Sequence, residues 1–285
     1  MAEVMGVLNV TPDSFSDGGF RTVDESVARA LSMVEEGASW IDLGAESTRP
    51  GAAPVSEAEE LDRLIPVLSR LATYKQYTAD KQRVNFKISV DSMKPAVMAA
   101  ALDEGADMLN DVNGFRAPGA WAVAVRAASI CLMHMRGRPE TMQRAPDYAT
   151  DEGGVVGAVR RFFQDQLALG MSHGLDPRRV ILDPGIGFGK TTEHNLALLH
   201  DLSTFSRLDH HECRFPVLVG MSRKQLIGDI TGKPVSERMA GSVGAALAAY
   251  ANGASILRVH DVGATVDALK VYARISVKRN EGVQG

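Results

Sequence analysis

The sequence has few of the features that mark disulfide-rich or membrane proteins. Its 285 residues include two cysteines, Cys131 and Cys213, which are too few for a disulfide framework and indicate a reduced, intracellular protein. No apolar run approaches the roughly 18 residues of a membrane-spanning helix. The start of the chain, Met1-Ala2-Glu3, has neither the basic residues nor the apolar run of a signal peptide. We therefore expect a cytoplasmic protein with no membrane partner.

The sequence also lacks an excess of either charge. Lys and Arg total 31 against 35 for Asp and Glu, so the net charge of −4 gives no support for a nucleic-acid partner or a membrane surface. Hydrophobic residues make up 45% and charged residues 23% of the chain, ordinary values for a globular protein that exclude disordered and collagen-like classes. The length is close to the roughly 250 residues of a typical (β/α)₈ barrel.

Short apolar segments alternate with helical segments along the whole chain. The apolar segments show little polar alternation, which predicts a parallel sheet buried on both faces. The eight predicted strands are Val4–Val10, Trp40–Leu43, Lys87–Val90, Met108–Asp111, Ile130–Met135, Val180–Asp183, Val217–Gly220 and Ile256–Val259. The eight predicted helices are Asp24–Glu36, Glu57–Tyr74, Pro95–Glu104, Gly119–Ala127, Asp151–His173, Glu193–Leu208, Glu237–Ala251 and Val262–Lys278.

Glycines after three predicted helices support a repeated helix–strand unit. Gly37, Gly105 and Gly253 each open a Gly-Ala-x-x-apolar run into the next strand, a place that suits a left-handed helix end. Eight such units without a break in composition favour a single α/β domain, a (β/α)₈ TIM barrel over residues 1–285. A doubly wound sheet is the alternative, because the pattern along the chain does not show whether the sheet closes.

Polar or ionisable side chains lie at the ends of all eight predicted strands. Any one of them is also compatible with an ordinary polar loop, but most follow directly on buried apolar runs. In a TIM barrel the carboxyl ends of the strands form the rim that carries the active site. The groups that we expect at this rim are Asn9, Asp42, Glu46, Asp91, Asn110, Asp111, His134, Asp183, Ser222, Lys224, Arg258 and His260.

The expected rim combines two kinds of chemistry. Its carboxylates and amide are suited to the donor-rich edge of a flat heterocycle, because a carboxylate accepts two parallel N–H bonds. These acceptors are Asp91, Asn110 and Asp183. Cationic groups are suited to a phosphate or carboxylate, and here they are Arg49, Lys224, Arg258 and His260. The sequence therefore predicts a substrate with a heterocycle at one end and an anion at the other.

Residues 183–191 contain three glycines but do not form a nucleotide P-loop. The pattern G-x-x-x-x-G-K-T requires glycine at position 184, where Pro184 stands, and G-x-G-x-x-G is not satisfied either. We expect these glycines to let the backbone approach a flat ligand beside Asp183. Histidine and cysteine spacing does not indicate a metal enzyme, and Cys131 is interpreted as a core residue. His134 is compatible with either a site residue or a hydrogen-bonded barrel residue.

Two long segments, residues 9–22 and 44–55, follow the first two predicted strands. Their Pro, Ser and Gly content is typical of mobile loops, so we expect both to be mobile active-site loops. Phe15, within the first of them, is interpreted either as a residue that packs on the barrel or as one that covers substrate.

Five motifs of the chain together resemble those of the dihydropteroate synthase family. They occur in family order between about Met5 and Asp261 and are Asn9–Phe20, Gly44–Ala52, Asp183–Lys190, Gly220–Lys224 and Arg258–Asp261. That family of TIM-barrel transferases serves folate biosynthesis and is the target of sulfonamides. It joins p-aminobenzoate to the methylene carbon of 6-hydroxymethyl-7,8-dihydropterin diphosphate, which gives 7,8-dihydropteroate and diphosphate.

The resemblance implies a role for each matching residue. The implied pterin pocket consists of Asp91, Asn110, Asp183 and Lys224, lined by Met133, Phe188 and Gly220. Asn9 would offer its side-chain oxygen to Mg²⁺, an ion usually completed by water and phosphate oxygens. The implied diphosphate contacts are Thr48, Arg258 and His260. The implied p-aminobenzoate slot is shaped by Phe15, Arg49, Pro50, Ser222 and Lys224.

The resemblance also implies an SN1-like route in which diphosphate leaves before the amine attacks. The implied catalytic residues are Asp17, Asp91, Lys224, Arg258 and His260. Asp17 and Asp91 would stabilise the pterin cation, while Mg²⁺, Arg258 and His260 would stabilise the departing charge. Two other functions stay open on the residues alone: a pterin-dependent methyltransferase barrel and a non-catalytic pterin or phosphate binder.

The chain departs from the usual family pattern in at least two places, and a separate segment is relevant to assembly. Gln225 follows Lys224 where serine is common, and the stretch Lys75–Phe86 is longer than usual. The small residues of 241–250 allow close helix packing, and the resemblance implies a homodimer through this side.

Overall fold

Eight parallel strands of one sheet form the centre of the molecule. The computed structural model describes residues 1–11, 22–47, 53–79, 85–139, 141–208 and 213–276, without the side chains of residues 78 and 79. The strands are β1 (Glu3–Asn9), β2 (Trp40–Gly44), β3 (Lys87–Asp91), β4 (Met108–Asp111), β5 (Ser129–Met133), β6 (Val180–Asp183), β7 (Leu218–Gly220) and β8 (Ile256–Val259). All eight predicted strands are confirmed, with ends shifted by two residues at most.

The sheet closes into a barrel. Its strand order is β6-β5-β4-β3-β2-β1-β8-β7, so β6 and β7 stand at the two ends of that order. Leu182 of β6 forms a parallel bridge with Val217, and its N–H donates to the carbonyl of Pro216 at 2.9 Å. Because β6 and β7 therefore meet, the predicted (β/α)₈ TIM barrel is confirmed and the doubly wound alternative is wrong.

Helices follow each strand and cover the outside of the barrel. Those within the described residues are α1 (Val23–Glu35), α2 (Glu57–Ala79), α3 (Pro95–Asp103), α4 (Ala120–Ala124), α5 (Gly154–Ser172), α6 (Thr192–His200), α7 (Gln225–Thr231), α8 (Met239–Ala251) and α9 (Val262–Ser276). None of these helices has the length and apolar content needed to cross a bilayer.

Helix α7 is absent from the sequence-based prediction. It contains Gly228 and two β-branched isoleucines, which lower its intrinsic helix propensity. Packing stabilises it instead, because Leu226 and Ile227 are buried and the Arg238 guanidinium fills the place where a side chain on Gly228 would stand. Tertiary contact therefore decides the conformation of this segment.

Helices α2 and α6 differ most from their predicted ends. Helix α2 continues past Tyr74 to Ala79, so the long stretch Lys75–Phe86 begins as helix. Helix α6 stops at His200, and Leu202–Ser206 forms a 3₁₀ helix instead of more α-helix. Its buried residues, Leu202 and Phe205, are three apart, the spacing at which side chains of a 3₁₀ helix align.

The left-handed helix ends predicted from glycine are confirmed. Gly37, Gly105 and Gly253 have φ angles of 105°, 95° and 110°, the left-handed region expected for a residue that ends a helix. At the start of α2, the backbone N–H of Glu59 donates to Ser56 Oγ at 3.2 Å, which caps the first turn.

The barrel interior has two layers of contrasting chemistry. The lower layer, at the amino ends of the strands, is a buried apolar cluster of Met5, Trp40, Met108, Ile181, Leu218 and Ile256 packed with Cys131. Alternate side chains of a strand point to the same face, so residues two positions later enter the barrel one step higher. The polar side chains of this upper layer are Asp42, Asn110, Asp183 and Arg258, with Gly220 between them and with Asp91 of β3 in register with Asn110. The polar groups therefore lie directly above an apolar floor.

Candidate active site

A three-residue ion-pair cluster occupies one side of the upper layer. Arg258 of β8 donates from Nε to Asp42 Oδ2 at 2.6 Å and from Nη2 to Asp91 Oδ2 at 3.0 Å. Asp42 is fully buried, and the Asn110 amide nitrogen lies 3.4 Å from its Oδ2. Arg258 thus joins β2, β3 and β8 across the barrel mouth with two of its guanidinium nitrogens.

Asp42 belongs to this cluster. From the sequence it is expected at the rim but is not assigned to the site. It lies inside β2 rather than at its end, so its position gave no reason to single it out. One signal was available, since a carboxylate inside an apolar run must be buried and therefore paired. Nothing in the sequence names Arg258, 216 residues away, as that partner.

The cluster changes the acidity of its members. Burial raises the pKa of Asp91 to about 7, with the guanidinium of Arg258 acting against the rise and the carboxylate of Asp42 adding to it. Burial also opposes the charged form of Arg258, but Asp42 and Asp91 outweigh it and raise the pKa of Arg258 above its usual value. Arg258 is therefore cationic at all working pH values, whereas Asp91 can change its charge near neutrality.

Asp183 and Lys224 face each other on the opposite side of the mouth. Asp183 Oδ1 accepts a hydrogen bond from the N–H of Gly185 at 2.7 Å. Lys224 Nζ donates to the carbonyl of Ile186 at 2.5 Å and lies 4.2 Å from the centre of the Phe188 ring. Burial lowers the pKa of Lys224 to about 7, opposed by the charge of Asp183. Burial likewise raises the pKa of Asp183, opposed by Lys224.

Asn110 presents an acceptor that the protein does not use. Its Oδ1 is buried and accepts no hydrogen bond from any residue that the structure describes. A buried polar atom left unpaired costs about 1–3 kcal/mol, so such an atom in a cleft indicates a ligand donor. Asn110 lies between Asp91 and Cys131 in the strand register, so this acceptor belongs to the same level of the barrel as Asp91.

The loops after β7 and β8 hold Ser222 and His260 together. Ser222 Oγ accepts from the backbone N–H of His260 at 3.3 Å and lies 3.1 Å from its ring Nδ1. The neighbouring Arg223 has a φ of 60° and binds the Asp261 carboxylate with two guanidinium nitrogens at 2.6 and 3.1 Å. That ion pair braces the two loops, so His260 is presented near Arg258 on the same strand end.

Asn9 stands at the end of β1 beside Gly44. A Cβ on Gly44 would lie 3.8 Å from Asn9 Oδ1 and 4.0 Å from Asp91 Oδ2, so the glycine leaves the space between these oxygens open. Among the described residues, no group of three or more His, Cys, Asp or Glu side chains is arranged to hold a metal ion. A cation at this place would therefore take Asn9 as a protein ligand and most of its remaining ligands from substrate and water.

An apolar wall completes the mouth. Met133 ends β5 and packs with Val112, Met135 and Met142 in a buried cluster against which Phe188 lies. Gly220 lies in register with Arg258, and a Cβ there would stand 3.5 Å from the Arg258 side chain. The mouth can thus accept a flat ring with apolar faces and acceptors along one edge.

The predicted site residues fall into two groups. The structure brings together Asn9, Asp91, Asn110, Met133, Asp183, Phe188, Gly220, Ser222, Lys224, Arg258 and His260 at the carboxyl ends of the strands. The remaining predicted residues, Phe15, Asp17, Thr48, Arg49 and Pro50, lie outside the described residues. His134 is a hydrogen-bonded barrel residue, because it is 5% exposed and its Nδ1 lies 2.9 Å from Lys190 Nζ.

Comparison with known proteins agrees with this geometry. The family model described as pterin binding enzyme matches residues 5–260. The dihydropteroate synthase of Escherichia coli (strain K12) is 46% identical over 281 residues, which cover 98% of this chain and 93% of that protein.

Solved structures give the same result. The Yersinia pestis dihydropteroate synthase with a sulfonamide drug complex has a TM-score of 0.85 and 43% identity, covering 97% of this chain and 94% of that one. The Burkholderia cenocepacia dihydropteroate synthase complexed with 7,8-dihydropteroate has a TM-score of 0.83 and 42% identity, covering 98% and 92%. The chain belongs to the dihydropteroate synthase family of transferases.

Proposed function

We propose that the chain condenses 6-hydroxymethyl-7,8-dihydropterin diphosphate with p-aminobenzoate to give 7,8-dihydropteroate and diphosphate. The observation that carries the proposal is the unpaired, buried oxygen of Asn110 in a mouth that also contains Asp91 and Asp183. The Burkholderia relative in complex with 7,8-dihydropteroate supports the product, and the Yersinia relative with a sulfonamide supports an arylamine site.

The pterin ring is proposed to lie against Met133 and Phe188 with its N–H edge toward the acceptors. Asp183 Oδ1 is held by the N–H of Gly185, which fixes the carboxylate and leaves Oδ2 to accept from the ring. Asn110 Oδ1 accepts a second ring N–H. Bonds to a charged carboxylate are the stronger ones, so Asp183 is expected to contribute most of the recognition.

Lys224 is proposed to donate to the acceptors of the same ring. An ammonium has three donors, and one of them is used on the carbonyl of Ile186. Its position over Phe188 keeps the amino group beside the plane that the ring would occupy. Ser222 and Lys224 also border the proposed p-aminobenzoate slot, together with Phe15, Arg49 and Pro50 on resemblance alone.

The diphosphate is proposed to bind at Arg258, His260 and Thr48. Arg258 uses Nε and Nη2 on carboxylates, and its Nη1 makes no hydrogen bond to the described residues, so a donor stays available. The amide oxygen of Asn9 suits Mg²⁺, since hard oxygen ligands completed by phosphate and water are the usual set for this ion. When bound, Mg²⁺ would neutralise charge on the leaving diphosphate.

Bond cleavage is proposed to precede attack. The bond between the pterin methylene carbon and the diphosphate oxygen breaks, and its electron pair leaves with the diphosphate. The lone pair of the arylamine nitrogen then forms the new C–N bond, and the surplus proton passes to water or diphosphate. Asp91 and Asp17 are proposed to stabilise the intermediate cation, and Arg258 and His260 the departing charge. The arylamine is neutral at pH 7, so no strong base is required.

Assembly, loops and location are also part of the proposal. Helix α8 buries Ser242, Ala246 and Ala249 on the barrel and exposes Gly244 and Ala248. That exposed small-residue face supports a homodimer through residues 241–250. Both cysteines are free thiols, which agrees with a reducing cytoplasm. A single domain spanning the chain is proposed, while most of the two segments predicted as active-site loops, 9–22 and 44–55, lies outside the described residues.

Initial-rate kinetics test the proposed function. Diphosphate release should require both substrates and Mg²⁺, and a sulfonamide should raise the apparent KM for p-aminobenzoate without lowering kcat. A pterin-dependent methyltransferase would release no diphosphate, and a binding protein would bind the pterin without turnover. Either result would overturn the proposal, and a sulfonamide that leaves the KM for p-aminobenzoate unchanged would remove the assigned slot.

A further inference from the structure

Residues 184–189, here called the glycine loop, accept hydrogen bonds from several side chains. Successive carbonyls of this loop each accept from a different side chain. The donors are Lys224 to Ile186, Gln143 to Gly187, Lys190 to Phe188 and Tyr148 to Gly189. Because buried backbone groups need partners, these side chains help to fix the shape of the loop, together with Asn195 Oδ1, which accepts from the N–H of Gly187, and the bond from the N–H of Phe188 to the carbonyl of Gly185.

The glycine loop also presses against the chain that leaves β5. A side chain on Gly185 would collide with the carbonyl of His134, and one on Gly189 would collide with the carbonyl of Arg136. Both glycines have left-handed φ angles, 70° and 65°. The distance between these two segments is therefore limited by direct backbone contact and also depends on any side chain that bonds to both.

Lys190 makes that bridge from a fully enclosed position. It is 3% exposed, and its Nζ lies 3.0 Å from the Phe188 carbonyl, 3.3 Å from the His134 carbonyl and 2.9 Å from His134 Nδ1. Phe188 and Met133, the residue before His134, form the apolar wall of the pterin pocket. One buried amine thus connects the two backbones that carry this wall.

The bridge is satisfied in either protonation state. An ammonium donates to all three acceptors, and a neutral amine donates to the two carbonyls and accepts from a protonated His134 Nδ1. Burial lowers the pKa of both Lys190 and His134 well below their usual values. Lys190 makes no direct ion pair within the described part of the chain, and the charge of Asp183 does not offset the cost of burial, which still lowers the pKa of Lys190.

We propose that Lys190 is a positioning residue that sets the width of the pterin slot by joining Phe188 to His134. This inference rests on the proposed function, because the slot is the one assigned to the pterin ring. Burying an amine costs free energy that an apolar side chain of similar length would avoid. A purely structural role would therefore be served as well or better by methionine, whereas the bridge requires hydrogen bonds from the amine.

The test is Lys190→Met, measured by binding as well as by turnover. The dissociation constant for 6-hydroxymethyl-7,8-dihydropterin should rise at least tenfold, and that for inorganic diphosphate should change less than twofold. The KM for the pterin diphosphate should rise with it, while the KM for p-aminobenzoate stays within twofold. The melting temperature should be unchanged or higher.

Matched variants separate the alternatives. Lys75→Met removes another lysine, which binds Asp107 through both carboxylate oxygens far from the mouth, and should leave both dissociation constants unchanged. His134→Leu removes one acceptor of the bridge and should weaken pterin binding in the same direction as Lys190→Met, by a smaller factor. Unchanged pterin binding in Lys190→Met, or a lower melting temperature with unchanged binding, would overturn the inference. Absence of pterin binding in the unsubstituted protein would instead overturn the proposed function.

Discussion

The two interior layers of the barrel are built from the same strands yet serve different purposes. On β6 the lower layer contains Ile181 and the upper layer Asp183, and on β8 the corresponding pair is Ile256 and Arg258. Two residues separate apolar packing from a charged group because side chains on one face of a strand recur with a period of two. A strand of four residues therefore contributes to stability at one end and to binding at the other.

The two layers also differ in what burial does to the free energy of unfolding. Each fully buried apolar side chain of the lower layer stabilises the fold by about 1.5–3 kcal/mol. The upper layer buries Asp42 and much of Asp91 and Arg258, where the cost of removing charges from water offsets their mutual attraction. Stability and recognition therefore depend on different layers of the barrel, and substitutions two residues apart should affect them separately.

The largest expected effect is on stability, from Ile181→Ala in the lower layer. Ile181 is 6% exposed, and truncation of a buried isoleucine to alanine costs about 2–5 kcal/mol. The melting temperature should fall, while kcat/KM of the folded enzyme stays within twofold of the unsubstituted protein. Thermal unfolding followed by circular dichroism, with kinetics below the transition, checks both. A tenfold loss of kcat/KM without a change in melting temperature would break the comparison.

The next largest effect is on recognition, from Asp183→Asn on the same strand. Asparagine still accepts from the N–H of Gly185 but has no charge, and a hydrogen bond to a charged group contributes about 1.5–3 kcal/mol. The value of kcat/KM for the pterin diphosphate should fall at least tenfold. The melting temperature should not fall, because burial already disfavours the charged form of this carboxyl, as its raised pKa indicates. An unchanged kcat/KM would remove Asp183 from the pterin pocket.

The sequence predicts the two layers to different extents. Apolar runs and glycines predict the strands, their parallel arrangement and the polar rim, because these features depend on residue type and local spacing. The sequence does not predict which side chains pair across the barrel. The pairing of Asp42 with Arg258 depends on the pairing of β8 with β1, which brings together strands from the two ends of the chain, and the contact of Lys190 with His134 depends on how two loops pack.

The segment after β7 shows the same limit. The Ser222–Lys224 motif follows β7, and helix α7 then continues the chain with a sequence of low helix propensity. Its conformation is determined by Arg238, which donates to the carbonyls of Arg223 and Lys224 and packs over Gly228. No pattern within residues 225–231 contains that information. Short segments stabilised mainly by tertiary contacts are therefore the ones that sequence periodicity misses.

The smallest expected effect is a pH dependence that comes from the groups at the mouth. Binding is expected to need ionised Asp91 and protonated Lys224, and the pKa of each is about 7. As pH rises through that value, Asp91 gains its charge and Lys224 loses its own, so kcat/KM for the pterin diphosphate should pass through a maximum near pH 7. If the two groups titrated independently, about a quarter of free enzyme would have the required charges at the optimum.

Variants of the two layers sharpen this test. Lys224→Met should remove the alkaline decline, lower the maximum, and leave the acid limb in place. Ile181→Ala should leave both limbs unchanged, since no member of the lower layer titrates near neutrality and burial raises the pKa of the adjoining Cys131 well above its usual value. The test is a profile of kcat/KM measured between about pH 5.5 and 9. If the alkaline limb persists in Lys224→Met, that limb belongs to another group. If the alkaline limb is lost and the acid limb stays, the two titrations belong to groups on opposite sides of one mouth.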